Sequence, residues 1–348
     1  MYFHTIIVGG GPAGLACAAA LASKGKETLL LERKSRIGPK ICAGGITWSG
    51  AAQHIPDYLI EKKFHEQHLV SSLQNTTIGA ARPIVFTIDR EKMGQWMARR
   101  AQKAGAIIKT GEQVVKIDEK QVKTRARSYK YDYLIGADGS SSLVRRYIGL
   151  PVTKIGVGIQ YCLPGSFPEM EWHLDPCLFK TGYCWIFPHH DKTSVGAYAC
   201  RQDIKPARLK AGLHHWMDRQ NLKRQNLRPE AALINFDYRG WRFGKRFLVG
   251  DAAGLASGIT GEGIYSAILS GENAARCITS KAQSTPGLDN LINKQQLHAR
   301  LLKLVGRNRL TLKIMPELLI LALRMRLLNY QALELGCQSS IKYTGPRV

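Results

Sequence analysis

The stretch HTIIVGGGPAGLACAAALASKG, His4 to Gly25, decides how the rest of the chain reads. A run of β-branched residues opens it, a glycine-rich turn follows, and an alanine-rich helix closes it. Gly9, Gly11 and Gly14 meet the spacing G-x-G-x-x-G. The first glycine permits the tight turn. The second lets the backbone approach a pyrophosphate, and the third lets helix and strand pack closely. Pro12 and Ala13 occupy the first helical turn, where proline loses no needed N–H. The helix N-terminus then turns its partial positive charge toward the phosphates.

A second apolar run, ETLLLER, ends in Glu32-Arg33. The Glu32 carboxylate falls at the interval expected for the ribose hydroxyls of a dinucleotide. With strand, turn, helix, strand and acid in order, a chance glycine-rich turn is the poorer reading. The 348 residues allow two subregions sharing one cofactor. The chain opens on a strand, without the basic and apolar regions of a leader peptide. No apolar run reaches the ~20 residues that cross a bilayer. Eight scattered cysteines, without C-x-x-C or zinc spacing, read as reduced thiols. The expected location is therefore cytoplasmic, and no metal is expected. The formal charge of +24 attracts anions: phosphate-bearing substrates, acidic lipid headgroups or nucleic acid. No RNA-binding motif accompanies it, so a nucleic-acid partner is not expected.

Two later stretches bear on which dinucleotide is held. YDYLIGADGSSSLVRR, Tyr131 to Arg146, carries a strand to Asp138-Gly139. KRFLVGDAAGLASGITGEGIYSAILSGENAA, Lys245 to Ala275, carries a strand to Gly250-Asp251, then a loop and a helix opening near Gly261-Glu262-Gly263. With the N-terminal fingerprint, these resemble the FAD-dependent aromatic hydroxylase superfamily over residues 1 to 280 or so. The resemblance implies FAD and an α/β fold: a Rossmann-like FAD-binding domain, an inserted antiparallel-sheet substrate domain and a helical C-terminus. It implies that Asp251 contacts the ribityl or pyrophosphate part, that Arg90 lies near the cofactor and that Val114 packs near the adenine. It also sets Asp138 and Gly139 beside FAD. Gly261, Gly263 and Ile264 fall at the helix start that meets the pyrimidine edge of the flavin, where a helix N-terminus stabilises anionic charge. For Arg90, a plain surface charge is the alternative. No second G-x-G-x-x-G appears, so electrons are expected from an external donor, NAD(P)H or a ferredoxin-like protein.

GPKICAGGIT, Gly38 to Thr47, resembles the Cys-Gly-Gly signature of the geranylgeranyl reductase family, with Ala43 where the first glycine usually stands. By that resemblance Gly44 and Gly45 bring backbone N–H groups to the flavin, and the Cys42 thiol faces the substrate as the candidate catalytic residue; Cys42, Tyr183 or a bound water is the candidate proton donor. GYCWIFP, Gly182 to Pro188, is similar to the aromatic-x-Trp-x-aromatic-Pro pattern of the same family. Strand alternation puts Tyr183, Trp185 and Phe187 on one face, where they can line a tunnel for a prenyl chain. A plain sheet core, and for Cys42 a small packed residue, are the alternatives. The implied activity is reduction of carbon–carbon double bonds in a polyprenyl chain of a lipid or quinone. Hydroxylation of an aromatic or quinone ring is the second reading, and a prenyl-lipid carrier the third. The expected division is 1–75, 90–150 and 240–285 for FAD, 76–89 and 151–239 for substrate, and 286–348 as a basic helical region.

That last region is apolar and strongly basic: Lys294, Arg300, Lys303, Arg307, Arg309, Lys313, Arg324 and Arg326 outnumber Glu317 and Glu334. Pro316 is expected to divide it into two helices. It reads either as an interfacial helix against the acidic inner face of a membrane or as a cap on the substrate domain.

Overall fold

The computed structural model describes residues 1–48, 54–224, 226–280 and 286–335. Its first sheet has eight strands. Tyr2–Val8 lies at its centre, parallel to Ser128–Gly136 on one side and Thr28–Leu31 on the other. Arg246–Leu248 and Ile107–Lys109 extend the parallel set outward. The central strands are buried on both faces, because the apolar runs IIV and TLLL leave no polar face for solvent. The helices Pro12–Ala22 and Ile264–Ser280 pack together on this sheet. Gly9 makes the turn into the first of them at φ +108°, and a Cβ there would lie 2.4 Å from the Ala137 carbonyl oxygen. A Cβ on Gly14 would lie 2.1 Å from the Gly9 carbonyl oxygen, which is why helix and strand pack as closely as they do.

The second sheet has seven strands. Its order is Glu230–Asn235, Ile155–Pro164, Lys192–Cys200, Tyr183–Pro188, Glu171–His173, Glu66–Val70 and Asn75–Gly79. All neighbours are antiparallel except Glu171–His173 beside Glu66–Val70. Glu66–Val70 falls within the 1–75 span expected for the FAD-binding unit, yet its hydrogen bonds place it in this seven-stranded sheet. No local pattern announces this, since the pairing is with residues about a hundred positions away. A three-stranded sheet, Gly45–Thr47, Val85–Ile88 and Ile60–Phe64, joins the two larger ones.

One face of the seven-stranded sheet packs Cys184 and Ile186 against Leu209, Leu213 and Trp216 of the helix Pro206–Arg219. The other face carries Tyr183, Trp185 and Phe187. Against that face lies the helix Arg309–Arg324, through Ile320 and Leu323. The expected break at Pro316 is not there. The chain breaks between Pro286–Val305 and Arg309–Arg324, where the Asn308 side chain accepts from the Thr311 N–H at 2.8 Å. Proline inside a helix costs about 3 kcal/mol. Here the next turn buries Ile320 and Leu323, and Glu317 accepts from Ser71 and the Leu73 N–H, so packing holds the helix through it.

Candidate active site

Two adjoining cavities, about 640 and 180 Å3, open where the two large sheets meet. They share Gly11, Pro12, Lys40, Arg90 and Gly139. The larger runs along the first sheet past Gly9, Glu32, Arg33, Val114 and Asp138. The smaller is bounded by Ala13, Cys42, Gly45, Asp251, Gly261, Gly263 and Ile264 on one side and by Tyr183, Trp185 and Phe187 on the other. The sequence-derived residues thus converge on one continuous cleft, except Gly14 and Gly44, which line neither cavity.

The larger cavity suits a dinucleotide. A Cβ on Gly11 would meet nothing within 4 Å, so the missing side chain leaves a cradle open into both cavities. Glu32 is fixed by two backbone donors, the Gly10 N–H at 2.7 Å and the Lys34 N–H at 2.9 Å. Each carboxylate oxygen keeps a second lone pair for a ribose hydroxyl. The Arg90 Nε is buried and meets no partner among the described residues, although the guanidinium reaches Met93 Sδ through Nη1. A buried cationic donor without an acceptor fits an anionic ligand such as a pyrophosphate. Asp251 is held by Lys40 and by the Ser140 hydroxyl, both at 3.2 Å. Asp138 does other work: its carboxylate accepts from Ser142 and from the Leu143 N–H, fastening the short helix Leu143–Tyr147 behind the cavity wall.

The glycines after Cys42 are tightly packed, and Gly45 also lines the smaller cavity. Gly44 sits at φ +80°, and a Cβ there would lie 2.4 Å from the His189 ring. Its N–H points at Cys42 Sγ, 3.4 Å away. A Cβ on Gly45 would lie 2.6 Å from the Phe187 ring. His189 presents one ring nitrogen to the Ala43 carbonyl at 2.9 Å and the other to Glu61 at 2.5 Å, which fixes the Cys42 loop against the sheet.

The aromatic face is buried and oriented by few polar bonds. Tyr183 donates to the Thr260 carbonyl, and burial pushes its phenol up. Trp185 donates to Ser194 at 2.9 Å. Three further residues were not found from sequence. Trp172 stacks against Tyr183 at 5.4 Å and lines the smaller cavity, but its three-residue strand has no readable period. Tyr198 lines the same wall and donates to the Gly258 carbonyl at 2.9 Å. Glu262 is a half-buried carboxylate on that cavity, and desolvation there holds its pKa above the usual carboxylate range.

A cleft of this kind, a pyrophosphate cradle opening onto an aromatic-walled chamber, belongs to an FAD-binding oxidoreductase. Known proteins agree. The FAD binding domain family matches residues 2–160. A geranylgeranyl diphosphate reductase of Rhodobacter capsulatus is 31% identical over 79% of this chain and 74% of its own length. A digeranylgeranylglycerophospholipid reductase of Methanosphaera stadtmanae is 31% identical over 76% of this chain and 75% of its own. The crystal structure of a geranylgeranyl bacteriochlorophyll reductase-like protein from Thermoplasma acidophilum superposes with a TM-score of 0.72 at 22% identity, over 95% of this chain and 89% of that one. A flavin-dependent brominase shares the fold with a TM-score of 0.74 at 17% identity, over 97% of this chain and 94% of that one. The chain belongs to the geranylgeranyl reductase family of FAD-dependent oxidoreductases, and its cofactor is FAD.

Proposed function

We propose that the protein reduces isolated carbon–carbon double bonds in a geranylgeranyl-type chain carried by a lipid or quinone. The observation that carries this reading is the wall of Tyr183, Trp185, Phe187, Trp172 and Tyr198 on the smaller cavity, facing Cys42 and the Gly261–Ile264 helix start. An apolar chain gains from every aromatic face it covers, and such a wall leaves little room for water. When bound, FAD supplies the hydride, and an external donor, NAD(P)H or a ferredoxin-like protein, restores it. Arg90, Glu32, Asp251 and the Gly9–Gly14 turn hold the cofactor. Cys42 and the aromatic wall hold the alkene against it and exclude water. With dithionite as reductant and a geranylgeranyl lipid as substrate, the product should gain two hydrogens per bond reduced. A hydroxylated product formed only with oxygen would instead favour the ring-hydroxylating reading.

The same reading includes a membrane surface. The helix Arg309–Arg324 and the residue after it expose Leu310, Ile314, Leu318, Leu321 and Met325, at intervals of three and four. That is an apolar stripe along the solvent side of the helix. Lys313, Arg309, Arg324 and Arg326 accompany it. Among the described residues no helix is long and apolar enough to cross a membrane. The stripe fits a helix lying in the interface of an acidic leaflet, where each basic residue adds about 1 kcal/mol. The protein should sediment with vesicles containing acidic lipid at low salt, and less with neutral ones. Ile314→Glu combined with Leu318→Glu should abolish binding and leave bound flavin unchanged. Equal partition onto neutral vesicles, or no effect of the pair, would return the helix to a cap.

A further inference from the structure

Saturating an alkene needs a proton as well as a hydride, and the aromatic wall of the smaller cavity offers few groups that can give one. Burial raises the phenol of Tyr183, and its O–H is committed to the Thr260 carbonyl. Glu262 is different. It lines the cavity on the loop between the Gly250-Asp251 turn and the Ile264–Ser280 helix. Its Oε1 meets the Thr47 hydroxyl at 2.6 Å, and its Oε2 meets the Leu335 N–H at 3.3 Å. The second contact brings the C-terminal segment, with Glu334, up behind it. Glu334 is itself buried and feels the charge of Glu262.

We propose that Glu262 is the acid that delivers the proton to the alkene in the smaller cavity. The inference rests on the alkene-reducing reading above. In the step, the alkene π bond breaks, one carbon takes the hydride and the other takes the proton as the Glu262 O–H bond breaks. Glu262 is left as a carboxylate, held by Thr47 and the Leu335 N–H. A proton from solvent restores the acid before the next turnover.

The surroundings suit that cycle. Burial favours the neutral acid, while the two donors and Lys294 stabilise the carboxylate that forms. Neither charge state is prohibitively costly. Tyr183, Tyr265 and Tyr330 also face the pair and carry no charge at neutral pH, since burial raises all three phenols. Burial raises Glu262 above the usual carboxylate range, so it keeps its proton to higher pH than a free carboxyl and empties as the pH rises further. Turnover should therefore fall on the alkaline side.

The test is Glu262→Gln, which keeps size and hydrogen bonding but has no acidic proton. Flavin content, thermal stability and reduction of the bound flavin by dithionite should match the parent. Alkene reduction should drop roughly a hundredfold or more. Independently of activity, the parent should show, beyond any carboxylic-acid band that Glu334 contributes, an infrared carbonyl stretch of a protonated carboxyl at neutral pH that Glu262→Gln lacks and Glu334→Gln keeps. Turnover within a few-fold of the parent overturns the proposal, leaving Glu262 as a tether for Leu335. Absence of the band in the parent overturns it as well, whether or not the variant folds. A parent that reduces no alkene overturns the functional reading and this step together, whereas a parent that does so alongside an unimpaired Glu262→Gln overturns this step alone.

Discussion

Gly11→Val should yield a folded protein almost devoid of flavin. A Cβ at this position meets nothing within 4 Å, and the residue's φ of −78° is open to a β-branched side chain, so the fold has room for the substitution. The added methyls project into the shared part of the two cavities, where the backbone has to approach the pyrophosphate. Purified variant should retain less than about a tenth of the parent flavin absorbance, at the thermal stability of the parent apoprotein. Gly14→Val is the instructive contrast. There a Cβ would lie 2.1 Å from the Gly9 carbonyl oxygen, so the helix cannot sit on its strand and the variant should fail to fold. A fully yellow Gly11→Val protein would contradict the assignment of this turn.

A folded variant with a large loss of stability should come from Arg145. Its side chain is fully buried and donates to the carbonyls of Pro151, Ala252 and Asp237 at 2.7 to 3.2 Å. Those carbonyls belong to segments that flank both large sheets, one of them in the turn next to Asp251. Arg145→Leu leaves them buried without a donor, and removes the cation 3.7 Å from the Asp237 carboxylate. Arg239 and the Thr153 N–H still hold that carboxylate, so the cost lies mainly in the carbonyls. Unfolding in urea should show a loss of about 3–5 kcal/mol, with weaker FAD binding as the Asp251 turn loosens. A loss below about 1 kcal/mol would mean that water replaces the guanidinium at little cost.

Sequence order alone carried the nucleotide half of the fold. Gly9, Gly11, Gly14 and Glu32 lie within one βαβ unit, so their spacing is local and their roles follow from backbone geometry. The alternation of Tyr183, Trp185 and Phe187 was legible for the same reason, because a strand repeats every two residues. What could not be read depends on distant contacts. Nothing near Arg145 in sequence announces three carbonyl partners from other segments. Glu262 looked like part of a loop motif until Thr47 and Leu335 were seen to close on it. The contact of Gly44 with the His189 ring, across the chain, was likewise not legible in the sequence. Pro316 was read as a break because proline is a poor helix residue, but burial of Ile320 and Leu323 against the aromatic sheet decides otherwise.

The most direct measurement of the central claim is a single turnover without oxygen. The bound flavin is reduced and bleached by dithionite, excess reductant is removed, and a geranylgeranyl lipid is added under anaerobic conditions. The account predicts that the yellow absorbance returns at the expense of one double bond per flavin. Flavin that stays bleached until oxygen is admitted would contradict it.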